Sequence, residues 1–449
     1  MSFNVALSGL AAANKDLAVT GNNIANVATT GFKGSRAEFA DVYSASILGT
    51  GGKVAGAGVR TAAISQQFTQ GNINHTGNSL DLAVNGNGFF GIKAQGQMMY
   101  TRAGEFGTDK DGYIINSSGF RLQGYDVGVG GQVLQGKKVD MRVDTSSVQP
   151  KPTSLIRETI NLDSTATIPG VTPFNPDEPE SFNWSTSVPL YDSLGNSHTM
   201  THYFVKGPIG AAVPPATVGN ATWKMYTLVD GRNPTNPAQA FDSANPTTTS
   251  QVTDLEFDSS GRLVAPAAGS FSMAGANAWV PGEITNPNTN PPTWGANGAI
   301  ASGDGVTVNF SDMTQYNAVS AVTSQSQDGY ATGQLSGLNI DETGNMFAAF
   351  TNGQSKLIGQ VMLVNFSNAQ GLKPVGGTAW VETYASGVPI EGMAKTGTFG
   401  AIQAGALEES NVDLTAQLVQ LIKAQSNYQA NAKTVTTQTT VMQTTINMT

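Results

Sequence analysis

Two histidines, His198 and His202, stand four residues apart in NSHTMTHYF. On a helix that spacing offers two imidazoles to one zinc ion. The stretch alternates and follows a turn, so it reads as a strand; there the rings share a face but stand too far apart for easy chelation. Asp109 and Asp111 before Gly112 resemble the start of a calcium loop, but the twelve-residue spacing and its terminal Glu are missing, which favours a hairpin turn. Gly86-x-Gly88 is half of a dinucleotide fingerprint, and Phe89 and Phe90 continue a strand where that motif needs a helix. Serines abound without a Gly-x-Ser-x-Gly elbow, and the only other histidine is His75. The chain has no cysteine, which removes disulfides, thiolate metal sites and thiol catalysis. These groups predict no catalytic residue, no cofactor and no metal, and the chain reads as a non-enzyme.

The 449 residues are enough for several domains. With 32 Asp plus Glu against 23 Lys plus Arg, the balance is acidic and makes no electrostatic claim on nucleic acid or an anionic membrane. Charged residues make up 12%, about half the usual share, and Asn, Gln, Ser, Thr and Gly carry the polarity. Such a surface suits contact between subunits. The N-terminal segment has no basic region and no continuous apolar run, so a Sec signal peptide is not expected, and no stretch approaches the ~20 apolar residues of a membrane span.

Helices are predicted at both ends. Phe3, Leu7, Leu10, Asn14, Leu17, Gly21, Ile24 and Ala28 recur at spacings of four and three, a heptad seam over residues 2–28 capped by Ser2 and followed by Gly31. A second seam runs through Leu414, Leu418, Leu421, Gln425, Tyr428, Ala432, Val435, Thr439, Met442 and Ile446. A helix over 411–447 would be about 55 Å long. Ser410 and Asp413 have capping-box spacing at its start. Lys15 and Asp16 are the only charges in residues 1–30, and none follows Lys433. Eight of the last sixteen residues are Thr, a weak helix former. Helices so poor in charge and propensity gain stability from packing. The seam would hold the two helices of one chain together, and their remaining faces would pack on other copies.

The middle reads as strands. Residues 80–143 alternate, and four Asp-x-x-Gly turns, at Asp109, Asp192, Asp258 and Asp341, are hairpin chemistry that predicts antiparallel sheets. Residues 153–322 hold most of the prolines and Trp184, Trp223, Trp279 and Trp294, with long loops such as NPTNPAQAFDSANPTTTS and EITNPNTNPPTWGANG. The predicted fold is mainly β with long α-helices at both termini and discontinuous β-domains nested around an inserted outer β-domain. The expected divisions are 1–30 with 411–449 as the helical domain, 31–75 with 389–410 as a connecting arm, 76–152 with 323–388 as a discontinuous β-domain, and 153–322 as the insertion.

The segment Asn22-Asn23-Ile24-Ala25-Asn26-Val27-Ala28-Thr29-Thr30-Gly31-Phe32-Lys33 resembles the N-terminal signature of the bacterial flagellar rod and hook axial family, with Ala28 and Thr30 where Asn and Pro are common. Leu80-Asp81 through Phe90 and Tyr100-Thr101-Arg102 through Tyr125 resemble its shared β-domain. Gly405 to Leu414, including Ser410, Asn411, Val412 and Asp413, and Tyr428 to Lys433 resemble its C-terminal signature. Rod subunits of the family are shorter and lack a large insertion, whereas 153–322 resembles the outer domain of hook subunits. The resemblance implies a structural subunit of a curved, hollow helical tube that transmits torque as a flexible joint. It implies assembly with itself and with flagellar rod, hook cap and hook–filament junction proteins, and passage through the flagellar type III export apparatus to the cell exterior without a cleaved signal. A distal rod or junction protein is the alternative within the family. A secreted carbohydrate-binding or hydrolytic β-protein, supported only by the clustered Trp, is the alternative outside it.

Overall fold

A computed structural model describes all residues except 1, 43–55, 95, 129, 212–218 and 449. The part of the expected arm at 43–55 therefore lies outside the described residues. The chain divides into a terminal unit (residues 1–145, 335–349 and 355–449) and an inserted unit (146–334 and 350–354).

In the terminal unit two helices, α1 (Ser2–Ala25) and α2 (Leu414–Asn447), join a β-structure assembled from both halves of the chain. Strand Phe89–Ala94 pairs with Gln97–Thr101 on one side and Arg121–Val127 on the other. Its alternate residues enter different cores. Phe90 and Ile92 pack with Leu82, Ile114, Leu122, Leu363 and Ile402, whereas Phe89 packs with Tyr100, Met362, Val364 and Trp380. Burial on both faces explains a strand that reads almost continuously apolar. Residues 389–410, expected as part of an arm, contribute strands instead. Ala401–Ala404 pairs with Leu82–Asn85, and Ala406–Glu408 pairs with Ile73–His75. These two zippers bring the chain ends together. The other half of the arm is a two-stranded ribbon of β1 (Ser35–Asp41) and β2 (Val59–Gln66).

The inserted unit contains two five-stranded sheets. The strands Trp184–Tyr191, Ser197–Lys206, Ala221–Val229 and Gln251–Phe257 form an antiparallel meander. Its inward residues Leu190, Met200, Phe204, Trp223 and Phe257 pack on Ile156, Ile160 and Phe310. Two expectations change here. Leu155–Asp163 runs parallel to Val306–Asn309 and Thr314–Tyr316, because a connection spanning most of the unit can return in either sense. The stretch EITNPNTNPPTWGANG, read as a loop, holds a hairpin of Gly282–Asn286 with Thr293–Ala296. Trp223 and Trp279 are core residues, and Trp294 lies under the Arg232 guanidinium at 4.8 Å.

All four Asp-x-x-Gly sites fold the same way. The glycine N–H donates to the aspartate carbonyl at 3.1, 3.1, 3.0 and 2.9 Å, and Gly112, Gly195, Gly261 and Gly344 have φ between 78 and 86°. Each aspartate Oδ1 accepts from the N–H groups two and four residues on, as Asp341 does from Thr343 and Asn345 at 2.8 and 2.9 Å. Asn116 builds a fifth turn of the same kind, donated to by Ser118 and Phe120. Burial alone would raise the Asp192 and Asp341 carboxyls, but the hydrogen bonds they accept outweigh it and hold them below the ordinary 3.8. At Asp258 the leading cause of the same downward shift is the Ser260 hydroxyl. A carboxyl depressed by folding stabilises the fold above its unfolded value and loses that contribution as pH falls through the folded one. The urea midpoint should therefore hold from pH 7 to 5 and drop steeply below about pH 4, with Asp341→Asn and Asp192→Asn variants losing part of that acid slope.

Candidate assembly site at the chain ends

The α1 helix stops at Ala25, earlier than its apolar pattern suggests, because Asn26 turns its amide back to the Asn22 carbonyl at 2.9 Å and Thr29 bonds the Asn26 side chain. The α2 helix begins at Leu414 with Asp413 as its N-cap, accepting from the Thr415 and Ala416 N–H groups at 2.8 and 3.1 Å. Asp413 thus takes the capping role expected of Ser410, whose hydroxyl accepts from the Val412 N–H at 3.3 Å. A shorter acid at the third helical position cannot reach back as Glu does, so it caps directly.

The two helices pair antiparallel, but not on the expected seam. The covered residues of α1 are Ala6, Ala13, Val19, Thr20 and Asn23, flanked by Gly9 and Asp16. A Cβ on Gly9 would lie 2.5 Å from Asn431 Oδ1. Gln420 donates to Asp16 at 3.0 Å, and Asn23 donates to Gln417 at 3.1 Å. Phe3, Leu10, Leu17, Ile24, Leu421 and Val435 are only half-buried. Leu7 is 51% exposed, Leu414 and Leu418 44% each, and Ile446 71%; Tyr428 and Met442 are exposed as well. The seam is displaced by one residue, about 100° around a helix. Small and amide side chains let the helix axes approach and fix register, and Leu7 of α1 with Leu414, Leu418, Tyr428, Met442 and Ile446 of α2 are left exposed. Val419, Ile422 and Val441 add to that face. Fully burying each such side chain stabilises by about 1.5–3 kcal/mol, so this surface asks for a partner.

Below the helices the signature residues work as clamps on backbone. Asn23 donates to the Ser35 carbonyl at 2.7 Å and accepts from the Ser35 N–H at 2.8 Å. Asn411 accepts from the Gly34 N–H at 2.8 Å and donates to the Gln67 and Thr69 carbonyls at 2.7 and 3.1 Å. The Asn411 N–H reaches the Phe32 carbonyl at 3.4 Å. Asn22 faces solvent and Phe32 and Val412 are half-buried. Gly31 has φ +67°, donates to the Glu408 carbonyl at 2.7 Å, and a Cβ there would stand 2.3 Å from the Ala103 nitrogen. Gly31→Ala should cost the terminal unit more than about 1 kcal/mol in thermal unfolding, since neither conformation nor space admits a side chain.

Lys33 is the centre of the junction. It is fully buried, and its Nζ donates to Glu408 Oε1 at 2.6 Å and to the Thr69 carbonyl at 2.7 Å. The other Glu408 oxygen accepts from Arg102 at 3.0 Å, and Oε1 also accepts from the Gly71 N–H. Arg102 donates onward to the Val84 and Gly86 carbonyls and lies over the Phe89 ring. Burial lowers the Lys33 ammonium from its ordinary value, and the Glu408 carboxylate opposes that shift. One buried carboxylate thus joins an N-terminal lysine and an arginine of the β-structure. Arg102 and Glu408 stand inside the quoted motifs, but charges among apolar residues carry no local sign that they meet.

The two histidines have local partners. His198 Nδ1 lies 2.7 Å from Asp230, and His202 Nδ1 lies 2.7 Å from the Thr227 hydroxyl. Among the described residues no group of three or more His, Cys, Asp or Glu is placed to hold a metal ion.

Helices tied together at the end of a β-structure, with their apolar faces outward, define an assembly subunit. Known proteins agree with that class. A flagella basal body rod protein model matches residues 3–33, and a flagellar hook protein FlgE/F/G D1 domain model matches 83–168. A flagellar basal body protein FlaE D2 domain model matches 161–330, and a flagellar basal body rod FlgEFG protein C-terminal model matches 403–448. The flagellar hook protein FlgE of Escherichia coli K12 is 36% identical over 454 residues, covering 100% of both chains. That of Borreliella burgdorferi is 31% identical over 97% of each. The crystal structure of Helicobacter pylori flagellar hook protein FlgE2 shares the fold with a TM-score of 0.51 at 15% identity, covering 75% of this chain and 100% of that one. The chain belongs to the flagellar hook protein family and is a structural subunit of the bacterial flagellum.

Proposed function

We propose that copies of this chain polymerise through α1 and α2 into the curved, hollow tube of the hook, outside the cell, where the tube passes torque from rod to filament as a flexible joint. The uncovered apolar residues on both end helices carry this reading. They have no use in one copy and are satisfied when neighbouring copies pack on them. The Thr, Gln and Asn of α2 add hydrogen-bonding groups without charge, which suits a channel wall that must not hold a passing chain. The rod, cap and junction proteins would meet the tube at its two ends, and export would proceed through the flagellar type III apparatus. The subunit works by packing and catalyses no reaction.

Electron microscopy of the purified protein under polymerising conditions tests the proposal. Curved tubes are expected. Straight stubs would favour the distal rod, and a protein that stays monomeric at high concentration would contradict assembly altogether.

A further inference from the structure

The net charge of −9 is not spread over the molecule. The inserted unit holds 6 Lys plus Arg against 15 Asp plus Glu, which leaves 17 of each sign for the terminal unit. The terminal unit is thus neutral, and the inserted unit carries the whole excess.

Nine of those fifteen carboxylates have structural work within the unit. Asp163, Asp192, Asp242 and Asp258 hold turns. Asp328 and Asp254 pair with Lys151 and Lys224, Asp230 meets His198, and Glu158 and Glu256 accept from Gln325 and Asn220. The other six are Asp177, Glu178, Glu180, Glu283, Asp304 and Asp312. All six are exposed, and their carboxylates make no hydrogen bond or ion pair among the described residues. Nothing in the fold needs them charged. A charge that stabilises nothing internally acts on what approaches from outside.

We infer that these six carboxylates make the inserted unit a like-charged surface that holds the inserted units of neighbouring copies apart, so that mobile cations set how closely they pack. The inference rests on the polymer reading above. It divides labour within one chain: charge-poor helices supply attraction that salt barely touches, and the inserted unit supplies repulsion that salt removes. At about 0.01 M salt the screening length is about 30 Å, longer than a side-chain contact, and at about 1 M it is about 3 Å. Repulsion between inserted units therefore operates at low salt and vanishes at high salt.

The test compares full-length protein with a variant carrying D177N, E178Q, E180Q, E283Q, D304N and D312N, which lowers the charge of the inserted unit from −9 to −3. Unchanged thermal unfolding checks that the variant folds. The critical concentration for polymerisation, read by sedimentation, should fall about tenfold or more for the wild type between about 10 mM and about 500 mM NaCl. The variant should start near the wild-type high-salt value and lose most of that dependence. A variant with the full salt slope, or a wild type with none, overturns the inference. So does MgCl2 acting far more strongly than NaCl at equal ionic strength, which would mean a specific divalent site in place of screening. Failure of either protein to polymerise in any salt contradicts the hook reading instead. In that case the light-scattering virial coefficient decides the charge argument: more positive for the wild type at low salt supports it, and equal values sink it.

Discussion

Glu408→Ala should destabilise the terminal unit by about 3–5 kcal/mol, enough to unfold it under conditions where the inserted unit stays native. The carboxylate neutralises two cations at once, Lys33 at 2.6 Å and Arg102 at 3.0 Å, and both sit out of reach of water. Removing it leaves two like charges buried together. Lys33→Met should cost far less, about 1–2 kcal/mol, because Glu408 keeps Arg102 and the Gly71 N–H, and the Thr69 carbonyl keeps the Asn411 amide. The contrast separates this account from one in which Lys33 and Glu408 are a simple pair, where both variants would cost the same. Urea unfolding followed by two probes gives the answer. Trp380 reports the terminal unit, and Trp184, Trp223, Trp279 and Trp294 report the inserted unit. Only the first transition should move.

The second large effect concerns assembly. Leu418→Glu with Ile422→Glu should raise the critical concentration for polymerisation by at least about a hundredfold, equivalent to about 2.8 kcal/mol per subunit. Both side chains are exposed in the single chain, at 44% and 62%, so the substitutions should shift monomer stability by no more than about 0.5 kcal/mol. In the polymer the same positions would bury unpaired carboxylates, which costs several kcal/mol each. Had Leu418 lain in the contact between α1 and α2, as its place in the heptad seam suggests, the double variant would unfold the helix pair in the monomer. Sedimentation of the polymer and circular dichroism of the monomer distinguish the two cases.

That seam shows what a sequence conveys and what it hides. Periodicity locates a helix and its widest apolar stripe, and α1 and α2 were legible to within three residues at each end. It does not say which stripe the nearest helix uses. Two antiparallel helices of one chain come closest where side chains are smallest, so Gly9, Ala13 and Ala424 take the contact and Leu7, Leu418 and Ile422 turn away. The turns were legible because their chemistry is local: an Asp side chain bonds amides two and four residues on, and Gly takes the positive φ. The fifth turn at Asn116 follows the same rule with an amide in place of the acid. The pairing of residues 389–410 with early strands was not legible, since short segments with scattered glycines look like linkers until their partners are known. The Lys33–Glu408–Arg102 cluster joins positions up to 375 residues apart, a separation at which composition and spacing are silent. The signature asparagines were recognisable as a pattern, but their work as backbone clamps at Ser35, Gly34 and Gln67 appears only in three dimensions.

The central claim is that the end helices of one copy are completed by the helices of others. Hydrogen exchange of the full-length protein, measured once as a dilute monomer and once as assembled tubes, tests it most directly. Amides of residues 2–25 and 414–447 should exchange quickly in the monomer and slowly in the tube, with those of 441–447 changing most, while the β-sheet amides of both units exchange alike in the two states. Equal, slow exchange of both helices in the monomer and the tube would contradict the claim, for it would mean that nothing outside a single chain is needed to cover them.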